Sequence, residues 1–141
     1  MRFLAWHVDY FRCRTTERGR SPLVEEYDDP ETVAEDALLI LASVEKQDEV
    51  SPEKVAAQAT AEIAAHAARL KVQTVVLHPF AHLFGQLSQP AVAVRVLQMV
   101  EEGLRARELT VIRTPFGWFN TLDIRAKGHP MSRTARKIYA E

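Results

Sequence analysis

Runs of apolar residues divide the first third of the chain into strands and a loop. Phe3 to Asp9 is a short apolar run with a polar end, which predicts an opening strand. Ala37 to Val44 is an uninterrupted apolar run with polar flanks, typical of a buried central strand. Residues 17–35 lie between these two runs, are polar, and contain a Ser-Pro and an Asp-Pro pair. We therefore expect a loop or a mobile excursion there.

Helical spacing begins after this strand. Ser51-Pro52-Glu53 predicts a helix start, because serine caps free amides, proline fits the first helical position and glutamate complements the helix dipole. The helix presents one apolar stripe at helical spacing: Val55, Ala59, Ile63, Ala67 and Leu70. A β-branched strand is predicted at Val72–Leu77. The strand–helix–strand order implies a crossover connection, right-handed if the two strands are parallel.

A second helix is predicted to begin near Ser88-Gln89-Pro90. Its core stripe is Ala93, Val96, Leu97, Val100 and Leu104. Val92, Val94 and Met99 form a further apolar face, which predicts either a deeply buried helix or a subunit interface.

The last third of the chain returns to strand patterns. Leu109–Thr114 and Trp118–Ala126 are predicted strands, and the Pro-Phe-Gly segment at 115–117 indicates an antiparallel pair. Residues 127–130, Lys-Gly-His-Pro, end the second strand before a short basic tail that we expect to be helical. These elements predict a single α/β domain over residues 1–141, with a mixed sheet and at least two packed helices.

Composition narrows the functional classes. Lysine and arginine number 18 against 19 aspartates and glutamates, which excludes a uniformly basic nucleic-acid coat but not a local basic patch. Such a patch would form if Arg12, Arg14, Arg18 and Arg20 shared a face with the basic residues after Thr110, although a solvated surface is the commoner explanation for such charge patterns. The single Cys13 excludes an internal disulfide framework and fits a reducing compartment. No apolar run approaches the roughly 18 residues of a membrane span, so we expect a soluble cytoplasmic protein without a membrane partner.

Candidate chemistry is sparsely marked. His78 and His82 have the spacing of paired metal ligands on a helix, but Pro79 disfavours a helix through both and no third ligand follows. The chain has no Gly-x-Ser-x-Gly elbow and no glycine-rich phosphate loop. We therefore expect neither a metal nor a cofactor. The residues alone predict only a site where the His78–His82 segment leaves its strand.

Five short segments, taken together and in order, resemble the N-terminal editing domain of archaeal threonyl-tRNA synthetases. They are His7-Val8-Asp9-Tyr10, Ser43-Val44-Glu45-Lys46, Pro79-Phe80-Ala81-His82-Leu83, Pro115-Phe116-Gly117 and Lys127-Gly128-His129-Pro130. The resemblance runs from Met1 to about Ile138. It implies a fold like that of D-aminoacyl-tRNA deacylases, a homodimer, and hydrolysis of serine wrongly esterified to threonine tRNA. The implied partners are this tRNA and the catalytic part of a threonyl-tRNA synthetase, in the same chain or as a separate subunit.

The resemblance also implies the site residues. The substrate pocket is expected to contain Val44, Pro79, Phe80, Ala81, His82, Phe116, Gly117, Trp118, Phe119 and Asn120. The tRNA is expected to contact Lys127, Arg133, Arg136 and Lys137.

Two positions depart from the better-known members of the family. Asn120 stands where they carry a lysine, and Arg133 stands where they carry a glutamate. These replacements remove the obvious side-chain acid and base. We therefore expect none of the candidates His82, Asn120, His129 and Arg133 to be essential, with water activated by the hydroxyl of the terminal adenosine and by backbone groups.

Three other functions stay open at this point. The domain could be a tRNA-binding or dimerisation module that has lost its editing chemistry, or a D-aminoacyl-tRNA deacylase. A zinc hydrolase is the weakest alternative.

Overall fold

The computed structural model describes residues 1–139 as a mixed six-stranded sheet with two long helices on one face, which confirms the predicted α/β class. The elements in chain order are β1 (Arg2–Arg18), β2 (Glu31–Ser43), a 3-10 turn (Lys46–Val50), α1 (Pro52–Leu70), β3 (Thr74–Pro79), α2 (Pro90–Arg105), β4 (Thr110–Arg113), β5 (Trp118–Ala126) and β6 (Arg133–Lys137).

The strand order is β4-β3-β2-β1-β5, and β6 also pairs with β1. β2, β3 and β4 are parallel neighbours, so α1 and α2 are the crossover connections predicted for such strands. β1 runs antiparallel to β2 on one side. On its other side it pairs first with β6, over Arg2–Trp6, and then with β5, over Val8–Arg18.

Both helices lie where the apolar stripes predict them. The α1 stripe is buried, with Leu70 partly so, although the Ser51 side chain makes no capping hydrogen bond. The five core residues of α2 are all buried. Val92 and Met99 pack against the same core, which favours the deeply buried helix over a free second face.

Three predictions for the strands and loops were wrong, and backbone pairing explains each. The expected loop 17–35 is shorter, because β1 continues to Arg18 and β2 begins at Glu31. The polar start of β2 is a strand because its backbone pairs with Tyr10–Arg14. The basic tail is the strand β6 rather than a helix, because it pairs along β1.

The predicted hairpin of β4 and β5 is also wrong. β4 is the edge strand beside β3, and β5 lies beside β1 at the opposite end of the sheet order. Only residues 114–117, the β4–β5 link, join them. Five residue steps reach about 18 Å at most when fully extended, whereas four strand spacings of a flat sheet total about 19 Å. Because the link contains a turn at Phe116 and Gly117, the sheet must curl to bring its ends together.

Burial on the sheet face without helices supports this curl. Phe11, Leu39 and Val76 lie on that face and are fully buried, at 0% exposure, although no helix covers them. The pairing of β1 with β5 shifts register between Val8 and Tyr10, and such irregularities increase strand twist. On β2, opposite this irregular segment of β1, Asp36 has a φ of 45°. This is a left-handed conformation that aspartate tolerates better than most residues do. The irregular region is therefore where β1 and β2 bend.

Gly117 should be required for the link. Its φ is +93°, and a Cβ there would lie 2.6 Å from Val24 Cγ1 and 2.9 Å from the Leu23 oxygen. We expect Gly117→Ala to lower the free energy of unfolding by about 2 kcal/mol in urea denaturation. Gly128→Ala is the matched control, because a Cβ at Gly128 meets nothing within 4 Å and should change stability by less than about 0.5 kcal/mol. Equal losses in the two variants would contradict this account of the link.

Candidate functional site

A pocket of about 530 Å³ opens at the carboxyl ends of β2 and β3, between the β4–β5 link and the first turns of α2. This is the edge of a parallel sheet at which ligands collect in α/β folds. The structure brings together all ten residues that the resemblance assigns to substrate, and each of them lines this pocket: Val44, Pro79, Phe80, Ala81, His82, Phe116, Gly117, Trp118, Phe119 and Asn120.

Glu25 fixes the wall of the pocket that the β4–β5 link provides. Its carboxylate accepts hydrogen bonds from Arg113 and, at 3.0 Å, from the amide of Phe116. Its amide donates to the Phe116 carbonyl at 3.0 Å, and its carbonyl accepts from Trp118 Nε1 at 2.7 Å. Arg113 is also held by Glu101 of α2, at 2.9 Å. The segment between β1 and β2 is therefore an anchored part of the site rather than a mobile excursion.

The polar groups of the pocket are few and bear no negative charge. Among the described residues no aspartate or glutamate lines it. His82 is exposed, with its ring edge-on to Phe80 at 5.4 Å between centroids. The Asn120 amide donates to the Trp118 carbonyl at 3.4 Å. The site therefore resembles the mostly apolar, preformed pockets that bind small molecules.

His78 is a buried member of the pocket. The sequence placed it in a predicted site segment and as a possible metal ligand, but gave it no other role. It lies at the carboxyl end of β3, is 2% exposed, and packs its ring 5.6 Å from that of Phe11. Its Nδ1 lies 2.8 Å from Thr114 Oγ1. Burial lowers the pKa of His78 to about 4, so the imidazole is neutral near pH 7. A polar residue that ends the apolar run Val75-Val76-Leu77 is the signal that could have identified it.

Two of the four catalytic candidates lie outside this pocket. His82 and Asn120 line the pocket. His129 lies just before β6, and Arg133 is the first residue of that strand. His129 Nε2 lies 2.9 Å from His7 Nδ1, and His7 Nε2 lies 3.0 Å from Asp36 Oδ1. His7 lies inside β1, next to the irregular region where this strand bends.

The basic residues do not form one free patch. Lys127 lies 2.7 Å from Asp9 and 3.7 Å from Asp36, and Arg14 lies 2.5 Å from Glu31. The remaining expected tRNA contacts, Arg133, Arg136 and Lys137, are exposed along β6. The early arginines are thus partly neutralised, and on β6 the Arg136 guanidinium also lies 3.8 Å from a Glu62 oxygen.

Cysteine and metal chemistry receive no support from the geometry. Cys13 is buried, and burial raises the pKa of its thiol to about 11. The arginines next to it in sequence would lower this pKa only if they lay close to the thiol. Within residues 1–139 no three His, Cys, Asp or Glu side chains converge as a metal-ligand group.

No described helix is long and apolar enough to cross a bilayer.

The fold and the pocket together define an α/β domain with a small-molecule site at the carboxyl edge of its parallel strands. The family model for the archaea-specific editing domain of threonyl-tRNA synthetase matches residues 1–138. The chain belongs to this family.

Its relatives are much longer proteins. The chain is 38% identical over its whole length to the threonine–tRNA ligases of Methanococcus aeolicus and Methanobrevibacter smithii, and 34% identical to that of Pyrococcus horikoshii. It spans only 22% or 23% of the length of these curated relatives.

The lowered pKa of His78 predicts a pH dependence of stability. The unfolded histidine, with a pKa of 6.5, gains a proton at a pH where the folded one does not. This contribution to stability is therefore complete above about pH 6.5 and is lost as the pH falls towards 4, by about 3 kcal/mol in total. We expect the unfolding free energy of wild type, relative to His78→Gln, to decrease by that amount between pH 7 and pH 4. A difference that stays constant with pH would show that His78 is not held neutral.

Proposed function

We propose that this pocket is the site of a proofreading hydrolase that deacylates serine wrongly attached to threonine tRNA. Two observations support the proposal: the chain belongs to the editing-domain family, and the ten residues implied by the resemblance converge on one pocket. The domain acts in the cytoplasm beside the catalytic part of a threonyl-tRNA synthetase, in the same chain or in a separate subunit. It needs no metal and no cofactor.

Physical limits on binding explain why such a site is required. Serine lacks one methyl group of threonine, and a difference of that size is worth only about 1–3 kcal/mol in a pocket. A synthesis site for threonine therefore admits some serine. A second site that is too narrow for the methyl group removes the error. Val44 is 4% exposed and forms a buried wall, and Ala81 lies beside Phe80 on the facing segment, so these two residues set the width.

The chemistry in this proposal depends on the tRNA and the backbone. Water adds to the ester carbonyl carbon, the bond to the ribose oxygen breaks, and that oxygen receives a proton as serine leaves. The vicinal hydroxyl of the terminal adenosine orients the water and relays the proton, because a fixed neighbour has a high effective concentration. Asn120 does not titrate near neutral pH, and arginine stays protonated.

Two backbone amides are available to stabilise the oxyanion. The amides of Ala81 and Gly117 both lie at the pocket and donate to no acceptor within residues 1–139. Unpaired amides that converge on a developing negative charge are effective in catalysis. The replacement of the family glutamate by Arg133 leaves this arrangement intact, because Arg133 lies on β6 outside this chain's own pocket.

The tRNA backbone and a second subunit complete the proposal. Arg133, Arg136 and Lys137 contact tRNA phosphates, whereas Lys127 is held by its two aspartates and contributes less.

The protein forms a homodimer. Because Val92 and Met99 of α2 pack against the core of their own chain, we favour the unpaired edge of β5 over α2 as the contact surface. Light scattering should give twice the chain mass; the mass of one chain would contradict the dimer.

The first functional prediction concerns selectivity. We expect the protein to release serine from threonine tRNA at least about 100-fold faster than it releases threonine, because the larger residue is excluded sterically. Deacylation assays on tRNA charged with each amino acid measure both rates. Hydrolysis of both at equal rates would exclude editing by size. No hydrolysis of either at stoichiometric protein would favour a module that has lost its chemistry at Asn120 and Arg133.

The second functional prediction separates protein from RNA in the mechanism. Alanine at His82, Asn120, His129 or Arg133 should reduce the rate of serine release by about tenfold or less, because none supplies an essential proton transfer. A terminal adenosine lacking the free vicinal hydroxyl should reduce it by about 100-fold or more. Single-turnover kinetics measures both. An inactive His82→Ala together with rapid cleavage of the deoxy substrate would assign the proton transfer to the protein.

A further inference from the structure

The innermost polar side chains of the pocket have no role in the mechanism described above. His78 and Ser43 line the pocket, end the neighbouring strands β3 and β2, and are 2% and 4% exposed. Leu41 pairs with His78 and lies two residues before Ser43, so alternation along the strand places all three on the sheet face without helices.

The bonding of His78 leaves one ring nitrogen free. Thr114 Oγ1 lies 2.8 Å from His78 Nδ1, so this ring nitrogen has a hydrogen-bond partner. Nε2 has no partner within residues 1–139, and it is not enclosed by protein atoms, so a ligand in the pocket can reach it. The depressed pKa of this ring keeps the imidazole neutral at pH 7.

Ser43 provides a comparison beside His78. Its Oγ also makes no hydrogen bond within the described chain, but this atom is enclosed, so a ligand in the pocket does not reach it. A neutral imidazole nitrogen in a pocket that no carboxylate lines suits a neutral hydroxyl of the ligand.

We propose that His78 is a specificity residue whose Nε2 forms a hydrogen bond with the side-chain hydroxyl of the substrate amino acid. This inference rests on the proposed function, because it identifies what the pocket recognises in serine. Val44 and Ala81 exclude a larger side chain, and His78 rejects one that lacks the hydroxyl. A site that pairs its buried polar groups with a substrate hydroxyl rejects the analogue without it strongly.

The test compares two substrates that differ only in the hydroxyl. We expect the wild-type protein to cleave threonine tRNA charged with serine with a kcat/KM about 100-fold higher than threonine tRNA charged with alanine. His78→Asn keeps an amide near Nδ1 for Thr114 but removes Nε2, and should reduce the preference to about tenfold or less. His78→Gln places an amide near Nε2 and should retain most of it. Equal losses for both esters in His78→Asn would overturn the proposal, because the α-ammonium and the ester are common to the two substrates.

Ser43→Ala is the control for a change beside His78. It removes an enclosed and unpaired hydroxyl, so it should leave the Tm unchanged or higher and the seryl preference unchanged. Ser88→Ala is a second control, because Ser88 borders the same pocket and its Oγ already donates to the Gln89 carbonyl at 3.0 Å. A loss of preference in Ser43→Ala as large as in His78→Asn would contradict the role of Nε2.

Binding of stable analogues separates this inference from the proposed hydrolysis. Seryl and alanyl amides of 3′-amino-3′-deoxyadenosine contain no ester, and calorimetry gives a Kd for each. If no ester is cleaved but wild type prefers the seryl amide and His78→Asn does not, the inference holds while the hydrolase proposal fails. If seryl tRNA is cleaved but wild type shows no seryl preference in either assay, the inference fails alone.

Discussion

The interaction on which the pocket depends is the set of hydrogen bonds between Glu25 and the β4–β5 link. The link has to cross from one end of the curled sheet to the other in four residues. Glu25 holds it there with its carboxylate, its amide and its carbonyl, and Arg113 connects that carboxylate to Glu101 of α2. Besides this anchor, the link is held by the strands at its two ends and by the Gly19 amide, which donates to the Gly117 carbonyl at 2.8 Å. The wall that carries Phe116 and Gly117 therefore depends on a glutamate from the opposite loop.

The same construction explains why the pocket is poor in side-chain acids and bases. Its walls are backbone turns and the ends of apolar strands, so most of what they present is amide groups and apolar surface. The charged groups are used elsewhere: Asp9, Asp36 and Lys127 pair where β1 and β2 bend, beside the hydrogen-bonded His7 and His129. This division is consistent with a site in which the substrate brings its own hydroxyl. Replacement of the family lysine and glutamate is then compatible with activity.

Sequence patterns predicted the elements that are stabilised by apolar burial. Both helices and the central strands follow from stripes and runs such as Ala37–Val44, because buried faces need apolar residues at fixed spacing. The polar strand β6 and the start of β2 were missed, because they are held by backbone pairing with β1. The order of β4 and β5 was also missed, since Pro-Phe-Gly fits a hairpin turn as well as a crossing link. The pattern predicted a site where the His78–His82 segment leaves its strand, and the other pocket residues were predicted by resemblance. The buried, neutral state of His78 became visible only when the fold packed it against Phe11 and Thr114.

The central claim is that this pocket binds the aminoacyl end of the tRNA, and an NMR titration tests it most directly. The seryl amide of 3′-amino-3′-deoxyadenosine is added to isotope-labelled protein, and backbone amide shifts are followed residue by residue. The account predicts that the largest saturable changes occur at Val44, Ala81 and Gly117, on three separate segments of the pocket wall. Changes confined to the His7 and Asp36 region or to β6, with these three amides unmoved, would contradict it.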